Sequence, residues 1–129
     1  RGAYILRDAA EAQAVIIATG SELELAMQAR EVLAGRNVEV RVVSMPSCSV
    51  FDRQEVTYKE NVLPENLPRI AVEAGVTDFW WKYGVSAVVG VDRFGESAPA
   101  GQIFKLFGLT ADNVADTVMA AIEKARQHN

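Results

Sequence analysis

The stretch that decides the fold is "AVIIATGSELELA", residues 14–26, in which an apolar run passes through a glycine turn directly into a helical pattern. A continuous run such as Ala14 to Ala18 is typical of a strand buried on both faces of a sheet. Thr19, Gly20 and Ser21 form the turn. Strand, glycine turn and helix is also the layout with which α/β proteins bind phosphate groups at a helix amino terminus. The stretch therefore predicts an α/β fold and a candidate anion site at the turn.

The side chains around this turn favour a structural role. Gly20 stands without the further glycines of a dinucleotide-binding loop, and no lysine of a P-loop follows it. Ser21 and Glu24 have the spacing of a capping box, in which each side chain satisfies an amide at the helix start. Glu22 adds negative charge where an anion would bind. We expect a self-capped helix, with a phosphate or nucleotide site and a partner contact as open alternatives.

Apolar runs recur along the chain, and helical patterns stand between most of them. The runs are Tyr4–Leu6, Ala14–Ala18, Val38–Val43, Arg69–Glu73 and Ala87–Val91. This alternation predicts a mostly parallel sheet with helices on both faces. The connection from the first run to the second is too short for a crossover helix, which favours an antiparallel first strand at an edge. Three helices are predicted. The first covers Ser21 to Ala34 and stops at Gly35, the second covers about Asp52 to Asn61, and the third runs from after Thr110 to about His128.

Bulk composition limits the class of protein. A chain of 129 residues with 50% hydrophobic residues suits one domain with a sizeable core. A net charge of −4 argues against nucleic-acid binding, and no stretch is apolar enough to span a membrane. Cys48 is the only cysteine, which excludes an intrachain disulfide and fits a reducing compartment. The start lacks a signal peptide, and its first residue is Arg1, so we expect a processed start or a fragment of a longer polypeptide.

Residues that perform catalysis are scarce. The single histidine is His128, next to last in the chain, so Cys48 has no predicted basic partner. The same shortage argues against a Ser-His-Asp triad and against a His/Cys metal site. Glu73 ends a predicted strand; we expect a structural hydrogen-bonding role for it, although it could face a cleft.

Two segments are candidates for contact with another surface. "TDFWWKYG", residues 77–84, places Trp80 and Trp81 between Phe79 and Tyr83, a density that suits either core packing or an interface. "DRFGESAPA", residues 92–100, follows the last predicted strand, at the edge where α/β sheets bind ligands or partners. Its residues that suit a contact are Phe94, Gly95, Glu96 and Ser97. A structural turn and a contact surface remain equal alternatives there.

Taken in order, these stretches resemble the C-terminal domain of transketolase. The matching segments are "GAYILRD", "IIATGSELELA", "RVVSMPS", "FDRQ", "YKENVLP", "AVEAG", "WKYG", "FGESAPA" and "FGLTADNV". Each segment alone is a weak signal, but their common order over essentially the whole chain is specific.

The resemblance implies a three-layer α/β sandwich with a five-stranded, mostly parallel sheet whose first strand is antiparallel. It implies a full-length cytoplasmic homodimer that transfers a two-carbon ketol unit between sugar phosphates of the pentose phosphate pathway. That enzyme would use thiamine diphosphate and a divalent cation, magnesium or calcium. The family's G-D-G motif for the diphosphate is absent from this sequence.

For this chain, the resemblance implies that residues 1–129 are a single noncatalytic structural and assembly domain of a longer polypeptide. We expect no catalytic, cofactor-binding or metal-binding residue in it, and its partners would be the other domains of the same polypeptide. No nucleic acid or membrane is expected. The candidate ligand or interface residues are Thr19, Gly20, Ser21, Trp80, Trp81, Phe94, Gly95, Glu96 and Ser97. A small-molecule regulatory module on the same fold and a partner-docking module are the alternatives.

Overall fold

The computed structural model describes residues 2–20, 22–46, 48–73, 83–90, 103–106 and 109–127. The strands of this part of the chain are β1 (Tyr4–Arg7), β2 (Ala14–Ala18), β3 (Val40–Ser44), β4 (Arg69–Glu73), β5 (Ala87–Gly90) and β6 (Ile103–Leu106). The helices are α1 (Glu22–Gly35), α2 (Cys48–Asp52), α3 (Val56–Val62) and α4 (Ala111–Gln127).

The strands form one mixed sheet in the order β1-β3-β2-β4-β5-β6. Only β1 is antiparallel; it lies at an edge and pairs with β3, while the described pairs from β3 to β6 are parallel. The predicted α/β class, the five predicted strands and the antiparallel edge strand are therefore confirmed. The sheet also has a sixth strand, β6, which was not predicted from the sequence. Its four residues include Lys105, so the apolar run is too short and too interrupted to be distinguished from a loop.

Helices cover both faces of the sheet and produce two cores. All five residues of β2 are buried, and its alternate side chains divide between the two faces, as the pleat requires. Ile16 packs with Leu33 of α1 and Val118 of α4 in one core. Ile17 packs with Phe51 of α2 in the other. This arrangement is the expected three-layer sandwich.

Helix α1 matches its prediction to within one residue at each end. It continues through Gly35, which was predicted to stop it after Ala34. The left-handed residue that ends the helix is Asn37, at φ 63°, rather than a glycine. The Val38 amide donates to the Leu33 carbonyl at 2.9 Å across this turn. Asparagine adopts the left-handed conformation more readily than most other residues with a side chain, so it can take the place that glycine usually has at a helix end.

The single helix predicted over Asp52–Asn61 is wrong, because two short helices occupy the region. The chain turns after α2, where the Arg53 amide bonds the Val50 carbonyl at 3.2 Å. Glu55 is extended, with φ −64° and ψ 150°, and α3 starts anew after it. The break lets Phe51 and Val62 enter the same core.

Helix α4 starts where the sequence predicts. The hydroxyl of Thr110 accepts from the Asn113 amide at 3.1 Å, so Thr110 is its N-cap. The apolar spacing of the sequence predicts a buried stripe of Val114, Val118, Ala121, Ile122 and Ala125; the first four are buried, and Ala125 is half-buried.

Candidate functional site

The parallel strands present their carboxyl ends at one edge of the sheet, which we call the carboxyl edge. β2 ends at Ala18, β3 at Ser44, β4 at Glu73 and β5 at Gly90. Open α/β sheets place their ligands at this edge. The Met45 amide donates to the Ala18 carbonyl at 3.0 Å, which ties two neighbouring strand ends together.

The predicted turn lies at the carboxyl edge and is already hydrogen-bonded to itself. Gly20 has φ +53° and no atom within 4 Å of the position that a Cβ would take. The amides of Glu22 and Leu23 donate to the Thr19 and Gly20 carbonyls at 3.1 and 3.2 Å. Two donors that an anion would need are therefore engaged, and the first helical turn carries Glu22 and Glu24. This geometry argues against an anion at the Glu22 and Leu23 amides.

Most of the other candidate contact residues lie outside the described residues. These are Ser21, Trp80, Trp81, Phe94, Gly95, Glu96 and Ser97. Their roles, including the capping box of Ser21, therefore stay predictions. Tyr83 is the described member of the aromatic segment; it is 8% exposed, and its ring centroid lies 6.2 Å from that of Phe51. That ring belongs to the core.

Two of the residues considered for catalysis lie in the described part of the chain. Cys48 is the first residue of α2, and Glu73 is the half-buried last residue of β4. His128 lies outside the described residues. Among those that are described, no group of three or more His, Cys, Asp or Glu side chains is placed to hold a metal ion. Within the same ranges, no helix has the length and apolar content needed to cross a membrane.

The amino end of β1 also lies at the carboxyl edge, because β1 runs antiparallel and places Tyr4 opposite Ser44. The preceding residue, Ala3, is 1% exposed. Its carbonyl accepts a hydrogen bond from the Tyr58 hydroxyl at 2.6 Å. Helix α3 therefore fixes the point at which the chain enters the domain.

The other end of β1 is also joined to α3, through Arg41. The Arg41 Nε and Nη2 atoms donate to the two carboxylate oxygens of Asp8 at 2.9 and 3.3 Å. Its Nη1 donates to the carbonyl of Asn61 at 2.7 Å, at the end of α3. This hydrogen bond from Arg41 lowers the pKa of Asp8, with a further contribution from the Ala9 amide. One guanidinium thus links the β1–β2 connection to the carbonyl end of a helix.

At the opposite edge of the sheet, an open cleft of about 500 Å³ lies between α2, α3 and the amino ends of β4 and β5. We call it the amino-edge cleft. The residues that define its chemistry are Val56, Lys59, Glu60, Leu63, Glu65 and Arg69. The cleft was not predicted from the sequence, because the pattern around Arg69 indicates only a strand. An arginine at the start of an otherwise apolar strand was the available signal.

Arg69 organises the wall of the amino-edge cleft. Its Nη1 donates to the Tyr83 carbonyl at 2.5 Å and its Nη2 to the Leu63 carbonyl at 2.9 Å. Burial lowers the pKa of Arg69, and the nearby Glu65 carboxylate partly offsets that effect. The side chain therefore holds together the end of α3 and the turn that leads into β5.

Comparison with known proteins identifies relatives over nearly the whole chain. Residues 2–110 match the family described as the transketolase-like TK C-terminal domain. Transketolase 1 of Pasteurella multocida is 53% identical over 129 residues, which are 95% of this chain and 19% of that protein. Transketolase 2 of Escherichia coli K12 is 51% identical over 118 residues, 88% of this chain and 18% of that protein. The chain thus spans about a fifth of the length of these relatives.

Solved structures show the same similarity. A Pichia stipitis transketolase, described in complex with xylulose 5-phosphate, superposes with a TM-score of 0.83 and 39% identity over 98% of this chain and 18% of that one. The transketolase of Leishmania mexicana gives a TM-score of 0.80 and 43% identity, over 95% of this chain and 18% of that one.

Proposed function

This chain belongs to the transketolase C-terminal domain family, and on that premise we propose that it is the noncatalytic assembly domain of a longer transketolase. The whole enzyme would transfer a two-carbon ketol unit between sugar phosphates of the pentose phosphate pathway, as a cytoplasmic homodimer. Thiamine diphosphate and a divalent cation, magnesium or calcium, would be held by its other domains. The partners of this domain would be those other domains of the same polypeptide.

The observation that carries the proposal is the position of β1. Its amino end lies at the carboxyl edge, level with the end of β3. Any polypeptide that precedes residue 2 therefore joins the domain beside the strand-end turns, including Thr19 and Gly20. The buried Ala3 and its hydrogen bond from Tyr58 attach that junction to α3. A junction attached in this way, beside a turn with the exposed Gly20, suits a domain that orients the rest of an enzyme.

The described start of α1, at the carboxyl edge, does not fit the diphosphate of thiamine diphosphate. The Glu22 and Leu23 amides are bonded to backbone carbonyls, and the carboxylates of Glu22 and Glu24 repel a diphosphate at that helix end. The proposal therefore assigns the chemistry of ketol transfer to no residue in the described part of this chain. What this chain supplies is the orientation of an entry strand and of the turns beside it.

The proposal is tested with three proteins. They are the full-length enzyme, a shortened enzyme that ends just before residue 1 of this domain, and the 129-residue chain alone. Calorimetry with thiamine diphosphate and magnesium should detect no binding to the chain alone. The shortened enzyme should keep cofactor binding but lose thermal stability or dimer formation, because it lacks the assembly domain. Micromolar cofactor binding by the chain would overturn the noncatalytic role. Unchanged assembly of the shortened enzyme would overturn the assembly role.

A further inference from the structure

We propose that the amino-edge cleft is a docking surface for a protein segment in which a lysine or arginine stands beside an aliphatic residue. This inference goes beyond the assembly role, because the cleft lies at the edge of the sheet opposite the one where the chain enters. It rests on the exposed apolar surface of α3, on the charges around the cleft and on the hydrogen bonds of its two cations.

The cleft offers apolar surface that the fold leaves uncovered. Val56 is 63% exposed, more than any other large hydrophobic residue in the described part of the chain. It lies in the first turn of α3, and behind it Leu63 and Phe51 form a floor that is 5% and 2% exposed. A single exposed aliphatic residue on a surface is ordinary. Here the valine lies at the mouth of a cleft with an apolar floor, where an aliphatic side chain of a partner would be buried against both.

The cations of the cleft are engaged with backbone carbonyls. Arg69 donates to the carbonyls of Tyr83 and Leu63. The Lys59 ammonium lies 3.4 Å from the Asp52 carbonyl oxygen at the end of α2. Both positive groups therefore stabilise ends of helices and turns of this chain.

Acidic residues also line the cleft. Asp52, Glu60 and Glu65 all line the cleft, and all three residues are exposed. The lining carries three carboxylates and two cations, a net charge of −1, which attracts a cationic group and repels an anionic one. A lysine or arginine side chain suits both the apolar surface and the negative charge of the cleft. Its aliphatic stem can pack on the apolar surface while its charged head stays near the carboxylates.

A protein segment fits this surface better than a second copy or a small molecule. The chain has a net charge of −4, so self-association through an acidic cleft brings like charges together. The cleft is open, whereas small-molecule sites enclose about 70–90% of their ligand. A segment of a partner can cover the cleft and bury Val56 at the same time.

The test uses the ¹⁵N-labelled chain at low ionic strength and two probe peptides, acetyl-Lys-Leu-Lys-amide and acetyl-Glu-Leu-Glu-amide. The basic peptide should shift the amide resonances of Val56, Lys59, Glu60 and Gly84 in a saturable way, and the acidic peptide should not. The double variant Glu60→Gln/Glu65→Gln should weaken binding by about three- to tenfold, as expected for two partly screened charge pairs. Val56→Asn should weaken it by about threefold through lost apolar contact.

The matched control is Glu24→Gln/Glu31→Gln, which removes two exposed carboxylates of α1 on the other face of the sheet. It should leave binding unchanged. If the control pair weakened binding of the basic peptide equally, the loss would reflect overall charge, and the proposal would be overturned. Equal binding of the acidic peptide, or no binding of the basic peptide, would also overturn it. Resonances of the cleft that shift with protein concentration alone would assign the surface to a second copy and overturn the proposed partner.

Discussion

Gly84 packs directly against the guanidinium of Arg69. A Cβ added to Gly84 would lie 3.2 Å from the Arg69 Nη1 atom, and the Gly84 backbone has φ +67°. The guanidinium has little freedom to yield, because it is hydrogen-bonded to the carbonyls of Tyr83 and Leu63. Position 84 therefore requires glycine for two reasons: its backbone is left-handed, and the hydrogen-bonded Arg69 guanidinium lies close to it.

Three glycine-to-alanine variants should separate these two requirements. Gly84→Ala should destabilise the fold by about 2 kcal/mol, from a left-handed backbone plus the displaced guanidinium. Gly20→Ala, at φ +53° with no neighbour within 4 Å, should cost only the backbone strain, about 1 kcal/mol. Gly35→Ala, at the end of α1 with open space around it, should stabilise by about 0.5 kcal/mol. Urea denaturation measures all three; equal losses at 84 and 20 would rule out crowding by Arg69.

A double-mutant cycle tests the same contact from its other side. Arg69→Met should destabilise by about 2–3 kcal/mol, because the Leu63 and Tyr83 carbonyls lose hydrogen bonds to a charged donor. Arg69→Lys should recover little, since one ammonium cannot reproduce a planar fork that reaches two carbonyls. In the Arg69→Met background, Gly84→Ala should cost less than it does alone. Strict additivity of the two changes would show that the residues do not interact.

The strands were predicted well from the sequence because a strand that is buried on both faces is apolar at nearly every position. Ala14–Ala18 is apolar at every position and is buried at every position. Helix α4 was equally predictable, since the Thr110 cap and the apolar stripe are local signals. Both of these elements are determined by residues close together in the chain.

The features that were missed depend on contacts between distant residues. The break between α2 and α3 accompanies the burial of Phe51 against Tyr83, far along the chain. The contact of Arg41 with Asp8 spans 33 positions, and no local pattern indicates it. The amino-edge cleft is formed by a helix, a strand start and a turn that only the folded chain brings together.

The ion pair of Asp8 with Arg41 predicts a specific acid sensitivity. The pKa of Asp8 in the folded chain lies below its ordinary value of 3.8. Its contribution to stability is therefore fully present above about pH 4 and is lost as the pH falls through the lowered folded pKa. Because the Asp8 side chain is 52% exposed, solvent screening limits that contribution to about 1 kcal/mol or less.

Asp8→Asn should accordingly be less stable than the parent chain at pH 7, and the difference should shrink below pH 4. Urea unfolding at a series of pH values measures it. Glu31→Gln is the matched control, since Glu31 is an exposed carboxylate with no ion pair among the described residues. A stability difference for Asp8→Asn that stays constant down to the lowest pH would contradict the assigned pairing.

The last prediction concerns the anchoring of the entry strand by Tyr58. Tyr58→Phe keeps the ring, whose centroid lies 6.3 Å from that of Phe51, but removes the donor to the Ala3 carbonyl. Since Ala3 is 1% exposed, its carbonyl has poor access to water, and we expect a loss of about 1 kcal/mol. The loss should be local: amides of β1 should exchange hydrogen faster, while those of β2, at the centre of the sheet, should keep their protection. Tyr58→Ala provides the comparison, because it also removes the ring from the core and should lower protection on both strands. If Tyr58→Phe left β1 exchange unchanged, or raised exchange equally in β1 and β2, the hydroxyl would not be what holds the entry strand against α3.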